Sequence, residues 1–407
     1  MRSTITSVAE ARQIAQRRLP RLAFDFVDGG AEDEVTLRAN LAAFERVTLR
    51  PHPLVDVSKR DLTTTLFGTR IRMPILIGPT GLSRLAGGEG ELAGARAAAR
   101  ARTIFTLSSM GSQSIEDVAG TDARPLWFQL YLWRQRDLVE SFVERAADAG
   151  FEALVVTLDV PVAGNRERDV RNGFTIPPRA NARNVVDLLR HPGWFARGLR
   201  PPIAFRNLEG SESADPRQTV AHARYIDESL SNPGATYEDL DRIRALWKGA
   251  LLVKGVLTGE DAVRAVEHGV DGIIVSNHGG RQLDGAPASL DALDEVAGAV
   301  AGRAVVLFDG GVRRGSDVAK ALALGAQACL IGRPWLYGLA AGGEDGVLAV
   351  LEVLREELDR TLVLTGRRRL ADLDRSAVGC PSMVRDRGAR GLARPGVSRR
   401  RLPTTGA

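Results

Sequence analysis

From residue 74 onward the chain keeps one beat: a short apolar run, a polar or glycine-rich turn, then a stretch with helical periodicity. The runs fall at 74–78, 104–107, 126–130, 153–158, 251–253, 272–275, 304–308 and 328–331. Runs this short, with little alternation, suit strands buried on both faces, and strands alternating with helices build a parallel sheet. Eight such units predict one (β/α)8 TIM barrel. A doubly wound sheet is the alternative, disfavoured because no early G-x-G-x-x-G appears.

The beat also sets the expected divisions. Residues 1–70 read as a helical segment packed on the barrel. A helix over 8–19 stops before Pro20, a second starts at Arg21, and the turn 28–33 opens a third with its acids near the positive end. Residues 71–375 carry the barrel. No clear strand appears over about 172–236, which holds many Pro, Arg and aromatic residues; a long insert after strand four is expected to be a lid or a docking surface. Residues 376–407 form a basic tail, expected to be disordered.

Charge excludes one class of partner. The net charge is +5, but residues 381–407 hold seven arginines against the single acid Asp386, which leaves residues 1–380 close to neutral. A near-neutral body is no footprint for a phosphate backbone, so no nucleic acid is expected. Cys329 and Cys380 are the only cysteines, too few for a disulfide framework, and suit a reducing compartment. Residues 1–20 lack the apolar core of a signal peptide, and no apolar run reaches the roughly 18 residues of a membrane span. A cytoplasmic chain is expected, with peripheral contact at the inner membrane face left open.

Reactive residue types gather where such a fold works. Thr80, Ser108, Tyr131, Asp159, Lys254, His278, Asp309 and Arg333 all fall at or just beyond the carboxyl ends of separate runs. Asp309-Gly310-Gly311-Val312-Arg313-Arg314-Gly315 follows the seventh run and Gly332-Arg333 the eighth. Glycine backbone, a helix start and arginine at these two loops make a phosphate site. In Ser276-Asn277-His278-Gly279-Gly280-Arg281, a proton acceptor and a permanent cation suit a small anionic substrate that loses a proton. Standing alone, an H-x-x-R turn would more often be solvated surface.

The string 271–284 closely resembles the active-site signature of the FMN-dependent 2-hydroxy acid oxidases and dehydrogenases, a family including glycolate oxidase, flavin L-lactate dehydrogenase and mandelate dehydrogenase. The resemblance covers about residues 5–375. It implies FMN as cofactor and no metal. Pro79, Thr80 and Gly81 match the loop whose backbone lies against the flavin; Ser108, Gln129 and Thr157 match positions bonding its ring. Lys254 matches the lysine beside flavin N1 and O2, with Ser276 next to it, and Asp309, Gly311, Arg313, Gly332 and Arg333 match the phosphate side. For the substrate, Arg281 is implied as the carboxylate clamp and Arg166 as a second arginine. His278 is implied as the base, Asp159 as its partner, and Tyr131 as the group bonding the substrate hydroxyl. The expected partners are a small 2-hydroxy acid and O2 or quinone as electron acceptor, in a homotetramer.

Three positions in the pocket matter. Phe26 stands where the family usually has a tyrosine that bonds the substrate carboxylate, which suggests weaker carboxylate binding or a bulkier substrate. Met110, flexible and apolar, stands where the family shapes the pocket around the substrate side chain. Gly81, an alanine in some members, leaves room near flavin N5. The segment 177–210 is basic and partly aromatic, with Arg179, Arg183, Arg190, Arg197, Arg200, Arg206, Trp194 and Phe195 against Asp187 and Glu209. In some members this region lies on a membrane. Two readings compete: a carrier-bound or peptide substrate in a biosynthetic pathway, or another FMN or nucleotide barrel such as an isomerase or IMP dehydrogenase. The last would need a loop cysteine, whereas Cys329 falls inside the eighth run.

Overall fold

The eight apolar runs are the eight strands of a closed parallel barrel. They are β1 (Ile75–Ile77), β2 (Phe105–Ser108), β3 (Leu126–Tyr131), β4 (Ala153–Thr157), β5 (Ala250–Val256), β6 (Gly272–Val275), β7 (Val305–Asp309) and β8 (Ala328–Ile331). β8 closes on β1 through Cys329 opposite Ile75 and Ile331 opposite Ile77. The computed structural model describes residues 5–174, 182–194, 203, 205–208 and 232–379. Most of the insert, and the basic tail from residue 380 onward, lie outside these; residues 376–379, expected to belong to the tail, are instead ordered in a 3-10 turn and a short strand.

Apolar runs are needed because both faces are buried. Leu76, Trp127, Val155, Leu252, Ile274, Leu307 and Leu330 fill the barrel interior. Their neighbours Ile75, Ile77, Phe128, Leu154, Val156, Ile273 and Phe308 pack outward against the helical layer. Side chains two apart share a face. Two residues beyond the inner apolar layer, the same parity therefore delivers Gln129, Thr157, Lys254, Ser276 and Asp309 inward at the carboxyl mouth. The site is a polar layer stacked on an apolar one.

Three helices precede the barrel: α1 (Val8–Arg18), α2 (Arg21–Asp28) and α3 (Val35–Arg46). The third starts later than the acid-rich turn suggested: Asp28 ends α2, and Glu34 takes a left-handed backbone (φ 59) just before α3. Its first N–H groups are instead capped from the barrel, Val35 and Thr36 donating to Asp284 at 3.1 and 2.8 Å. Helices do not account for all of the first seventy residues. A hairpin of Thr64–Leu66 and Thr69–Ile71 carries Leu66 and Ile71 into the inner core, and Thr48–Leu49 pairs antiparallel with Val378–Gly379. The final helix, Arg333–Thr365, follows β8 and is broken at Gly342–Gly343. In the described part of the insert, Ala182–Leu189 is helical and Arg206–Leu208 a 3-10 turn. No described helix is long and apolar enough to cross a membrane.

Candidate active site

At the mouth, β6 ends and the chain turns sharply, so that His278 adopts a left-handed backbone (φ 59), unusual for a residue with a side chain. Its N–H donates to Ser276 Oγ at 3.0 Å. Its ring reaches across the barrel, where Nδ1 lies 3.0 Å from Asp159 Oδ1 just beyond β4. Between these strands, β5 carries an irregularity at Gly255, with φ +102. A Cβ there would lie 2.6 Å from that of Asp159, so glycine is what lets the carboxylate approach. Burial pulls the His278 pKa below its usual value, with Lys254 and Arg281 adding and Asp159 opposing. Burial raises the Asp159 pKa, but His278 and Lys254 outweigh it and hold the group ionised. The result is a neutral imidazole backed by a carboxylate, ready to take a proton.

Tyr131, at the end of β3, lies parallel to the His278 ring with centroids 6.5 Å apart. Burial pushes its phenol pKa up to about 12, so it stays a donor. Arg281 is partly buried beside Arg166 and Arg333, and desolvation first, then these two cations, brings its pKa down to about 9. It is still charged at neutral pH, and an incoming carboxylate would relieve the crowding of cations. Arg166 sits over the Phe26 ring, its carbon 5.6 Å from the centroid, and pairs with Asp169 at 3.3 Å.

The opposite side of the cavity is a relay of polar groups. Ser108 Oγ donates to Gln129 Oε1 and Gln129 Nε2 donates to Thr157 Oγ1, each at 2.8 Å. Lys254 Nζ donates to Ser276 Oγ at 2.9 Å and pairs with Asp309 at 3.1 Å. Burial would lower the Lys254 pKa, but Asp309 and Asp159 outweigh it and keep the ammonium. Beyond lies the anion end. Arg313 and Arg333 bond only backbone carbonyls as side-chain donors and form no carboxylate pair among the described residues. A Cβ at Gly332 would meet only Thr80, at 3.8 Å, and would enter the cavity wall where a ligand must come close. Two uncompensated guanidinium groups beside a bare backbone fit a phosphate.

Most of the expected residues come together. Phe26, Pro79, Thr80, Gly81, Met110, Gln129, Tyr131, Thr157, Arg166, Lys254, His278, Arg281, Asp309, Gly311, Arg313, Gly332 and Arg333 line one cavity. Ser108, Ser276 and Asp159 sit behind it, orienting Gln129, Lys254 and His278. Several participants were not anticipated. Gln282 ties down the loop after β4, its Nε2 donating to the carbonyls of Asp159 and Val162 at 3.1 and 3.0 Å. Its place next to Arg281 was the available signal. Phe174 stacks on Phe26 with centroids 4.7 Å apart, a long-range contact with no local signature. Cys329 is buried within β8, and burial raises its thiol, so it is no nucleophile at the mouth.

A (β/α)8 barrel whose mouth joins a phosphate end to an acid–base pair and the guanidinium groups of Arg166 and Arg281 defines an enzyme that holds a phosphate-bearing cofactor over a small anion. Comparison narrows this class. The family model described as FMN-dependent dehydrogenase matches residues 15–380. An L-lactate oxidase of Nostoc sp. is 46% identical over 378 residues, covering 92% of this chain and 98% of that protein. A peroxisomal (S)-2-hydroxyacid oxidase of Arabidopsis thaliana is 46% identical over 374 residues, covering 92% and 96%. The crystal structure of (S)-mandelate dehydrogenase, a monotopic membrane protein, superposes with a TM-score of 0.88 at 41% identity, covering 92% and 99%. The chain belongs to the FMN-dependent 2-hydroxy acid oxidases and dehydrogenases, oxidoreductases acting on CH–OH groups, with FMN as cofactor.

Proposed function

We propose that this enzyme oxidises an L-2-hydroxy acid with an apolar side chain, lactate or a larger aliphatic or aromatic acid, to the 2-oxo acid. The observation that carries the reading is the His278–Asp159 pair facing Arg281 inside one cavity. Arg281, joined by Arg166, binds the substrate carboxylate. That fixes the hydroxyl-bearing carbon between His278 and Tyr131. His278 takes a proton, and Asp159 stabilises the imidazolium that forms. Tyr131 donates to the substrate oxygen as it becomes a carbonyl. Lys254, Gln129 and Thr157 are assigned to the flavin ring, Arg313, Arg333 and Gly332 to its phosphate. When bound, FMN would supply the acceptor for the two electrons and the second proton that leave the substrate, with O2 or quinone as the final oxidant.

The preference for an apolar side chain rests on Phe26, Leu82, Met110, Val160, Phe174 and Phe205, which line the same cavity. The names of the relatives, L-lactate oxidase and (S)-2-hydroxyacid oxidase, support the L hand. The test is anaerobic bleaching of the yellow protein against paired enantiomers of glycolate homologues, then addition of air or quinone. Rapid bleaching by L-acids with aliphatic or aromatic side chains is expected. Equal bleaching by D-acids, or by glycolate alone, would remove the reading. Peripheral membrane contact is part of the proposal: Val185, Val186 and Leu189 on the helix Ala182–Leu189 are 44%, 50% and 75% exposed.

A further inference from the structure

Arg281 and Arg333 share an unusual support. Arg281 Nη1 donates to the carbonyls of Phe26 and Gly29 at 2.8 and 3.0 Å. Arg333 donates through Nε to the carbonyl of Asp28 at 3.2 Å and through Nη2 to that of Gly29 at 2.7 Å. These acceptors are the last residues of α2 and its C-cap. Carbonyls at a helix C-terminus lack helical partners and carry the negative end of the dipole. They can orient a guanidinium while leaving its charge available to an anion, which a carboxylate in the same place would not.

The end of α2 is itself pinned by the Asp28 side chain, which turns away from the cavity. Arg12 of α1 grips it with Nε at 2.6 Å and Nη2 at 2.8 Å, and the Tyr337 hydroxyl donates at 2.7 Å. Arg168, beyond β4, adds a bond at 3.3 Å. Tyr337 lies one turn past Arg333 on the same helix, so a single carboxylate ties α1, α2, the β4 loop and the final helix together. Both oxygens of Asp28 are thereby occupied and held off Arg333.

We propose that Asp28, clamped by Arg12 and Tyr337, is a positioning residue that aims Arg281 at the substrate carboxylate and Arg333 at the cofactor phosphate. The inference rests on the roles given to those two arginines above. Tyr337→Phe removes one clamp without adding charge or bulk. Flavin rebinding to the full-length protein after flavin removal is followed by fluorescence, with FMN and with riboflavin, which lacks the phosphate. Weakening of FMN relative to riboflavin by about tenfold is expected, together with a KM for the 2-hydroxy acid raised about tenfold and kcat within about twofold. Equal weakening of both flavins would mean a general packing role and overturn the proposal, as would a change in only one of the two readouts. Should Tyr337→Phe fail to fold, Arg12→Lys, at a half-exposed position, keeps the charge but loses the paired grip and is held to the same outcomes. Arg281→Lys serves as control: if it leaves KM unchanged, the assignment of the site fails, whereas a raised KM there and no effect in Tyr337→Phe refutes this inference alone.

Discussion

His278 meets opposite pulls, and their balance sets a pH profile. Burial comes first and favours the neutral ring; Asp159 favours the charged one. A base must start neutral, so kcat/KM of the free enzyme is expected to fall as pH drops through a value below the ordinary imidazole pKa. Asp159→Asn removes the attraction that favours the imidazolium. The acid limb should then move to still lower pH while kcat falls by about 10²-fold or more, because the developing charge is no longer stabilised. An acid limb that moves upward would show that Asp159 does not hold the proton on His278. Phe26 poses a second question at this scale. Its ring, between Phe174 and the Arg281 guanidinium 5.2 Å from its centroid, fills space but donates nothing. Phe26→Tyr adds a donor and is expected to lower KM for simple 2-hydroxy acids by roughly 10-fold, the worth of one hydrogen bond to a charged group. Steady-state kinetics with lactate would show it, and an unchanged or higher KM would mean the carboxylate does not lie beside this ring.

Among the elements, β5 decides whether the base has its partner. Gly255 lets the strand skip register so that Lys254 points inward and Asp159 comes in alongside. Gly255→Ala would place a methyl 2.6 Å from Asp159 on a backbone with positive φ. A stability loss of about 1–3 kcal/mol is expected by thermal melting, with kcat reduced toward the Asp159→Asn level while flavin is retained. Full activity would show that the carboxylate does not depend on this irregularity. The same strands explain what could be read in advance. Strand parity is a local property: once Trp127 and Val155 are inside, Gln129 and Thr157 follow, although in the sequence it is the family resemblance that marks those two. The Asp284 cap on α3, the Phe26–Phe174 stack and the Asp28 clamp join residues more than a hundred positions apart or on separate helices, and no local pattern encodes them. The hairpin at 64–71 escaped for a related reason, since its two three-residue strands are too short to show alternation.

At the scale of the whole molecule, α2 borders the barrel mouth through Phe26 and Val27, and the described helix Ala182–Leu189 packs against α2. Asp187 accepts the N–H of Arg21 at 2.6 Å, which fastens this helix to the start of α2 and directs Val185, Val186 and Leu189 outward. Under the membrane contact proposed above, these three apolar side chains, next to a basic sequence, would dip into the interface of an anionic membrane. The position would also bring a lipid-soluble quinone close to the mouth. Flotation of the full chain on vesicles containing anionic lipid is expected to carry the protein upward at low salt. Changing Val185, Val186 and Leu189 to serine should leave it at the bottom with bleaching by the 2-hydroxy acid unaltered, since none of the three lines the cavity. If wild type and triple variant float alike, or neither floats, the helix is a solvent-facing lid and the electron acceptor reaches the flavin from water.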